Sequence, residues 1–159
     1  MPGSYRLVLD TNSLLSGLAN SDSAAGRVLE LCERRQVVLL TSRPVQREYR
    51  RVLASAELVR RNSDITPEAV ELVLRRLRYV GEYLGRVRAR FRFDRDPDDE
   101  PFIELAIDGS ASHLVTSDND LLSLATGHGE AARRFRQRLP GIRVVRPAAF
   151  LWEIDQIDS

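Results

Sequence analysis

Four short, largely apolar runs recur along this chain, and segments with helical spacing separate them. The runs occupy residues 5–9, 37–40, 113–116 and 142–145. Continuous apolar runs of this length are typical of strands that are buried on both faces of a parallel sheet, with helices as the crossover connections. The sequence therefore predicts an α/β fold with a central, mainly parallel sheet of about four or five strands covered by helices on both faces.

Residues that favour helix starts precede the segments with helical spacing. Ser42 and Pro44 precede one helix. Thr66 precedes a longer helix, whose apolar stripe is predicted to run from Val70 to Leu84. Three further helices are predicted, and they cover residues 25–32, 102–109 and 147–154. Strand and helix patterns thus alternate, as a parallel sheet requires.

The chain length of 159 residues predicts a single domain that spans residues 1–159. No apolar run approaches the roughly 20 residues that a transmembrane helix needs, so no membrane partner is expected. The first six residues lack the basic and then apolar pattern of a secretory signal, and Cys32 is the only cysteine. These features predict a cytoplasmic protein in which Cys32 is a buried, unreactive thiol.

Acidic side chains follow two of the predicted strands. Asp10 comes directly after the first strand, and Asp118 follows the third. In open parallel sheets, ligands bind outside the carboxyl ends of the strands, where the connections reverse direction. Glu48, on the helix after the second strand, and the acidic stretch from Asp96 to Glu100 add further carboxylates. A fold that gathers these groups would form an acidic pocket suited to a metal ion.

Each of these acids taken alone has an ordinary structural role. Asp and Asn are common helix N-caps, and the acids before Pro101 complement the positive end of a helix dipole. Together, converging carboxylates repel each other by roughly 4 kcal/mol per pair at about 4 Å, so they must take up protons or share a cation. An all-oxygen site suits Mg²⁺ or Mn²⁺ rather than Zn²⁺, and neither His113 nor His128 has metal-ligand spacing.

Divalent ions in such a pocket can promote hydrolysis of phosphodiester bonds. A bound Mg²⁺ ion can position and activate a water nucleophile while it stabilises charge on a phosphoryl oxygen, and two ions can clamp the attacking and leaving oxygens. No Ser-His-Asp or Cys-His set is apparent in the sequence. The pattern therefore favours a nuclease in which no side chain becomes a covalent nucleophile.

Four sequence segments resemble the PIN-domain ribonucleases, in particular the bacterial group that contains toxins of toxin-antitoxin systems. The segments are Val8 to Asn12, Glu48 to Leu53, Arg95 to Asp99 and Leu114 to Leu122. The region from Ile142 to Leu151 also resembles the last strand and helix of that group. The resemblance covers nearly the whole chain, with the segments in the family's order.

The resemblance implies a three-layer α/β/α domain and an endoribonuclease that depends on Mg²⁺ or Mn²⁺. The implied partners are an RNA substrate and, for the toxin group, a cognate antitoxin of a type II pair and a second copy of the chain. The catalytic acids carried over are Asp10, Glu48, Asp99 and Asp118, of which the three aspartates are the implied metal ligands. The supporting residues carried over are Asn12, Asp96, Asp98, Ser117 and Asp120.

Arginines alternate with apolar residues just before the acidic stretch, which is strand-like spacing with one basic face. They are Arg86, Arg88, Arg90 and Arg92. One interpretation is an edge strand that charge protects against aggregation, and the other is a rim that contacts RNA phosphates. A second basic cluster, Arg133 to Arg138, is interpreted as a solvated helix face.

Two other functions remain open from the residues alone. A strand followed by Asp also opens the fold of aspartyl-phosphate phosphatases, but Asn12 occupies the position where that class needs a second acid. The chain could instead be a non-catalytic PIN-like scaffold that binds metal or RNA and acts through a protein partner. Mn²⁺ titration combined with an RNA cleavage assay separates the scaffold from a ribonuclease, because a scaffold binds the ion without cleaving RNA.

Overall fold

A five-stranded parallel sheet forms the centre of the protein, and helices flank it, which confirms the predicted α/β class. The computed structural model describes residues 5–55 and 66–158, with side chains up to residue 155. The strand order is β3-β2-β1-β4-β5, and every neighbouring pair is parallel. The strands are β1 (Arg6–Leu9), β2 (Val38–Ser42), β3 (Glu82–Leu84), β4 (His113–Val115) and β5 (Arg143–Val145).

Eight helices connect or follow these strands within the described residues, and a short 3-10 turn covers Pro97–Asp99. The first four are α1 (Thr11–Ala19), α2 (Ala24–Glu33), α3 (Arg43–Leu53) and α4 (Pro67–Val80). The others are α5 (Glu100–Asp108), α6 (Asn119–Thr126), α7 (Glu130–Arg138) and α8 (Pro147–Asp158). None of them is long and apolar enough to cross a membrane. Residues 1–4, which belong to the segment predicted not to be a secretory signal, lie outside the described residues.

The order of the strands creates a switch point between β1 and β4. The chain moves from β1 through β2 to β3 in one direction and from β4 to β5 in the other. Because crossovers of this kind are right-handed, the helices of the two series cover opposite faces of the sheet. Ligands of such sheets bind at the carboxyl ends of the strands beside the switch point. Asp10 and Asp118 follow these two strands.

The core consists of the apolar runs that the sequence shows. Leu7, Val8 and Leu9 of β1 are fully buried, as are Leu114 and Val115 of β4. Strands that are covered on both faces need apolar side chains at successive positions, so these runs show no alternation. Cys32 is also part of this core, and burial raises the pKa of its thiol to about 12. The thiol is therefore protonated and shielded, as predicted.

Strand β3 was not predicted from the sequence. The apolar stripe of the helix after Thr66 was predicted to continue to Leu84, which is too far. Helix α4 ends at Val80, and Leu84 belongs to β3 instead. A Cβ atom at Gly81 would lie 2.2 Å from the Leu39 carbonyl oxygen, so the chain needs glycine where it passes from the helix to the sheet edge. The three residues of β3 are half-exposed or exposed and give no continuous apolar run.

Residues 86–93 form no strand, which corrects the edge-strand interpretation. The predicted alternation is nevertheless present, because Ala89, Phe91 and Phe93 are buried and the arginines between them are exposed. Three carboxylates spaced four residues apart along α5 accept hydrogen bonds from backbone N–H groups of this segment. They belong to Glu100, Glu104 and Asp108. The donors are the N–H groups of Arg88, Ala89, Phe91 and Phe93.

Arginines of α7 satisfy carbonyl groups on the same segment. Arg134 donates to the carbonyl of Arg92 at 3.1 Å, and Arg138 donates to that of Arg90 at 2.9 Å. Arg136 donates to two carbonyls at the end of α6. Three members of the second basic cluster therefore bind backbone carbonyls. Arg133, Arg134 and Arg138 are nevertheless exposed, so the interpretation as a solvated face holds in part. Side chains of α5 and α7 thus take the place of neighbouring strands along residues 88–93.

We expect Glu104→Ala to lower the free energy of unfolding by about 1–3 kcal/mol, because the buried Phe91 loses the acceptor of its N–H group. Glu104→Gln keeps an acceptor oxygen of the same reach, so its loss should be smaller. Urea denaturation of the two variants and the wild type measures the difference. Equal stability of the two variants would show that this hydrogen bond does not hold the segment.

Candidate metal centre

Asp10 is fixed between β1 and β4 at the carboxyl edge of the sheet. It is the N-cap of α1, where its Oδ1 accepts from the Ser13 N–H at 3.0 Å. Its Oδ2 accepts from the Thr116 hydroxyl at 2.5 Å, and its own N–H donates to the Val115 carbonyl at 3.2 Å. Burial raises the pKa of Asp10, and the hydrogen bonds from Thr116 and Ser13 oppose this shift. Asp10 is 3% exposed, and both of its carboxylate oxygens accept hydrogen bonds.

Thr116 joins the two strand-end aspartates. Its Oγ1 donates to Asp10 and accepts from the Asp118 N–H at 2.9 Å. Asp118 is the N-cap of α6 and accepts from the Asp120 N–H at 2.9 Å. Sequence analysis did not predict a role for Thr116. A sequence pattern could have indicated it. Thr116 is a hydroxyl residue at the end of an apolar strand, two positions before an acid, and the neighbouring strand is also followed by Asp.

The 3-10 turn places two further aspartates beside Asp118. Asp96 caps this turn by accepting from the Asp98 N–H at 3.1 Å, and the Asp99 N–H donates to the Asp96 carbonyl at 3.0 Å. As a result, Asp96, Asp99 and Asp118 each offer a carboxylate oxygen, and these three oxygens all lie within 4.8 Å of one another. Asp96 was predicted as a supporting residue. The structure puts it in the tightest acidic group, whereas both oxygens of Asp10 already accept hydrogen bonds.

Asp99 is the least favourably placed carboxylate of the group. It is 9% exposed, and its Oδ2 is buried without a hydrogen-bond partner among the described residues. Its pKa is raised to about 8, with burial as the largest cause and with the negative charges of Asp96, Asp118 and Asp10 acting in the same direction. A buried polar atom without a partner is unfavourable, so this oxygen needs a proton or a cation.

Glu48 approaches the aspartates from α3. The α3 helix is attached to β1, because the buried Tyr49 hydroxyl donates to the Leu9 carbonyl at 2.5 Å. Glu48 forms a two-point ion pair with Arg51, with distances of 3.2 and 2.9 Å, and its side chain is 17% exposed. Arg51 also contacts Asp98 at 3.2 Å. Glu48 is therefore paired with a cationic side chain, unlike the Asp99 oxygen.

All four predicted catalytic acids line one cleft of about 110 Å³. The cleft residues are Asp10, Thr11, Asn12, Glu48, Arg51, Val52, Asp96, Asp98, Asp99, Phe102 and Asp118. Two of the predicted supporting residues do not line it. Asp120 pairs with Arg95 at 3.5 Å, and Ser117 is exposed, with its carbonyl accepting from Arg146 at 3.2 Å. The predicted RNA-binding arginines between residues 86 and 92 also lie outside it.

The donor set of the cleft fits a hard divalent cation. The tight group offers carboxylate oxygens alone, without histidine or cysteine, and oxygen ligands suit Mg²⁺ or Mn²⁺. The unpartnered Asp99 oxygen and the mutual repulsion of the group are both relieved by a bound cation. His113 instead bonds Glu153 and Ser112, and it starts β4 at the opposite edge of the sheet.

Comparison with known proteins identifies the family. The PIN domain profile matches residues 6–120, a region that contains all four predicted catalytic acids. The chain belongs to the PIN domain family. PIN domains are generally nucleases that use divalent metals and act on RNA. The chain is also 29% identical over 119 residues to Uncharacterized protein MJ1680 of Methanocaldococcus jannaschii, covering 75% of this chain and 74% of that protein.

The raised pKa of Asp99 in this PIN domain predicts a pH-dependent stability. The folded protein keeps the Asp99 proton up to about pH 8, whereas the unfolded chain releases it near pH 3.8. In a chelating buffer, the free energy of unfolding contributed by this group should therefore fall as the pH rises through that window. We expect Asp99→Asn to be more stable than wild type, with a difference that grows from about pH 4 to about pH 8.

Urea denaturation at several pH values across this window measures that difference. Asp22→Asn serves as the control, because Asp22 is exposed and lies outside the cleft. Parallel stability curves for wild type and Asp99→Asn would contradict the prediction.

Proposed function

We propose that this PIN domain is a Mg²⁺- or Mn²⁺-dependent endoribonuclease that cleaves RNA phosphodiester bonds by hydrolysis. The unpartnered, buried Asp99 oxygen inside a group of converging carboxylates is the observation that carries the proposal. Such an arrangement is unfavourable for the apo protein, and it matches the nuclease chemistry of the family.

In this proposal each acid has a distinct role. Asp96, Asp99 and Asp118 hold the ion or ions, with Asp10 completing the ligand set beside Asp118. When bound, Mg²⁺ or Mn²⁺ supplies a nucleophilic water at neutral pH and offsets charge on the phosphoryl oxygens. Thr116 and Ser13 keep the Asp10 carboxylate oriented by donating to its two oxygens. Glu48 completes the acidic wall from α3.

Exposed arginines before the acidic turn are proposed to contact the RNA backbone. Arg86 and Arg88 are exposed, and the segment that carries them leads directly to Asp96. Arg90 is less available, because it donates to the Val87 and Ala89 carbonyls at 3.2 and 2.8 Å. Arg92 pairs with Asp94 at 2.8 Å, but both side chains are largely exposed, so a phosphate can replace this partner.

The finer biological role is proposed from the resemblance to the toxin group. On that basis the chain is the toxin of a type II toxin-antitoxin pair, binds a cognate antitoxin and forms a homodimer. Growth arrest on expression of the wild type, but not of Asp118→Asn, tests the toxin role. Growth unaffected by an active wild-type enzyme would reject it.

The catalytic proposal is tested by removing one acid at a time. Asp118→Asn and Asp10→Asn should each lower the rate of RNA cleavage by about 100-fold or more, because a ligand charge is lost. Asp22→Asn should cleave at the wild-type rate, since Asp22 lies outside the cleft. Cleavage of a mixed RNA pool, with Mg²⁺, with Mn²⁺ and with a chelator, measures these rates. Full Mg²⁺-dependent activity in Asp118→Asn would reject the site assignment.

The RNA-binding proposal predicts a salt dependence. Replacing Arg86 and Arg88 by Gln should reduce the slope of log affinity against log salt by about 1.4, or about 0.7 for each lost phosphate contact on a single strand. The matched control replaces two other exposed arginines, Arg27 of α2 and Arg34, which directly follows that helix. Fluorescence anisotropy with a labelled RNA over a salt series gives the slopes. An unchanged slope in the Arg86 and Arg88 variant would show that these residues do not contact the RNA.

A further inference from the structure

Arg51 is the one basic side chain among the described residues that line the acidic cleft. Its guanidinium bonds both oxygens of Glu48 and reaches across to Asp98 at 3.2 Å. It therefore connects α3 to the 3-10 turn that carries the aspartates. The sequence gives Arg51 no distinction, because three other arginines lie between residues 43 and 50.

The neighbouring Arg50 has different partners and does not enter the cleft. Arg50 is on the same helix, but its guanidinium bonds Glu71 of α4 at 2.6 and 3.3 Å. Arg50 does not line the cleft. Consecutive residues of a helix point about 100° apart, so the two arginines face different neighbours. The pair thus provides a target residue and a matched control on one turn of helix.

The two side chains of the Arg51–Glu48 ion pair differ in their exposure to solvent. The Arg51 side chain is 58% exposed, whereas that of Glu48 is 17% exposed. Arg51 can therefore leave the pair by rotating into solvent, while Glu48 stays in the cleft wall. As long as Arg51 remains, its positive charge opposes a divalent cation in the same cleft and occupies both Glu48 oxygens.

A phosphate of the RNA backbone is the ligand that suits a displaced guanidinium. Arginine binds phosphate through two parallel N–H groups, in the same geometry that it uses here for the Glu48 carboxylate. If Arg51 moves from Glu48 to a phosphate, the cleft regains the negative charge of Glu48. The cation then binds more tightly when RNA is present.

We propose that Arg51 makes divalent-cation binding depend on RNA, by exchanging its carboxylate partners Glu48 and Asp98 for a phosphate of the substrate. The inference rests on the proposed ribonuclease function and adds a coupling between its two ligands. Such coupling is reciprocal, so the cation tightens RNA binding by the same factor. Arg51 is in this sense a specificity-determining residue, because it disfavours the cation-loaded cleft until RNA is bound.

The test compares Arg51→Gln with Arg50→Gln, both as full-length protein. Mn²⁺ affinity is read from the signal of free aqueous Mn²⁺ in electron paramagnetic resonance, with and without a phosphorothioate RNA oligonucleotide that resists cleavage. Mn²⁺ bound by the oligonucleotide alone is subtracted. Thermal unfolding of both variants verifies that each is folded, as expected for exposed side chains.

We expect Arg51→Gln to bind Mn²⁺ about tenfold more tightly than Arg50→Gln when RNA is absent, because one opposing charge is removed. We expect RNA to tighten Mn²⁺ binding less in Arg51→Gln than in Arg50→Gln. Arg50→Gln should match the wild type in both measurements. Equal or weaker Mn²⁺ binding by Arg51→Gln without RNA would overturn the proposal, as would equal tightening by RNA in the two variants.

These readouts separate the inference from the function on which it rests. If the wild type cleaves no RNA with any divalent ion, the proposed ribonuclease function fails. The Mn²⁺ affinities of Arg51→Gln and Arg50→Gln are measured without turnover, so they still decide whether Arg51 opposes the cation. Conversely, if the wild type cleaves RNA but Arg51→Gln binds Mn²⁺ with the same affinity as Arg50→Gln, only this inference is overturned.

Discussion

Repulsion among carboxylates gathered at one edge of the sheet is the constraint around which this protein is organised. Asp96, Asp99 and Asp118 bring three oxygens within 4.8 Å, and Asp10 stands beside them with its pKa raised by burial. Charges this close are not tolerated without protons or a counter-ion. The apo protein meets the constraint in two ways, since Asp99 keeps a proton to about pH 8 and Arg51 forms ion pairs with Glu48 and Asp98. The proposed cation binding and the predicted pH dependence both follow from this one arrangement.

The scaffold holds Asp10, Asp96 and Asp118 through hydrogen bonds from backbone N–H groups and from the Thr116 hydroxyl. Each strand-end aspartate is a helix N-cap, so the carboxylate that faces the cleft also satisfies an N–H of the next helix. The Thr116 hydroxyl ties the two caps together across β1 and β4. Residues 88–93, which lead to the third source of acids, are held by the carboxylates of α5 and two arginines of α7. A site of like charges can thus persist because hydrogen bonds fix its members individually.

Arginine has several roles in this chain, and the roles do not follow from sequence position. Arg134 and Arg138 bind backbone carbonyls, Arg50 pairs with a neighbouring helix, and Arg51 enters the cleft. The guanidinium groups of the exposed Arg86 and Arg88 have no such partner among residues 5–55 and 66–155, and we propose a phosphate of the RNA as their ligand. The even balance of 24 basic and 23 acidic residues therefore hides a strong local sorting of charge.

The sequence by itself determined the elements that depend on local patterns. Apolar runs identified four of the five strands, and cap residues such as Ser42 and Thr66 located helix starts, because burial and capping act on neighbouring residues. Asp10 and Asp118 were found in the same way, as acids that follow strands, whereas Glu48 and Asp99 were assigned from the resemblance to the PIN-domain ribonucleases. Only the tertiary structure decided the half-exposed β3, the fixing of residues 88–93 by α5 and α7, the Thr116 link and the partner of Arg51. These features join residues far apart in the chain, and their geometry depends on how the helices pack, which no local pattern records.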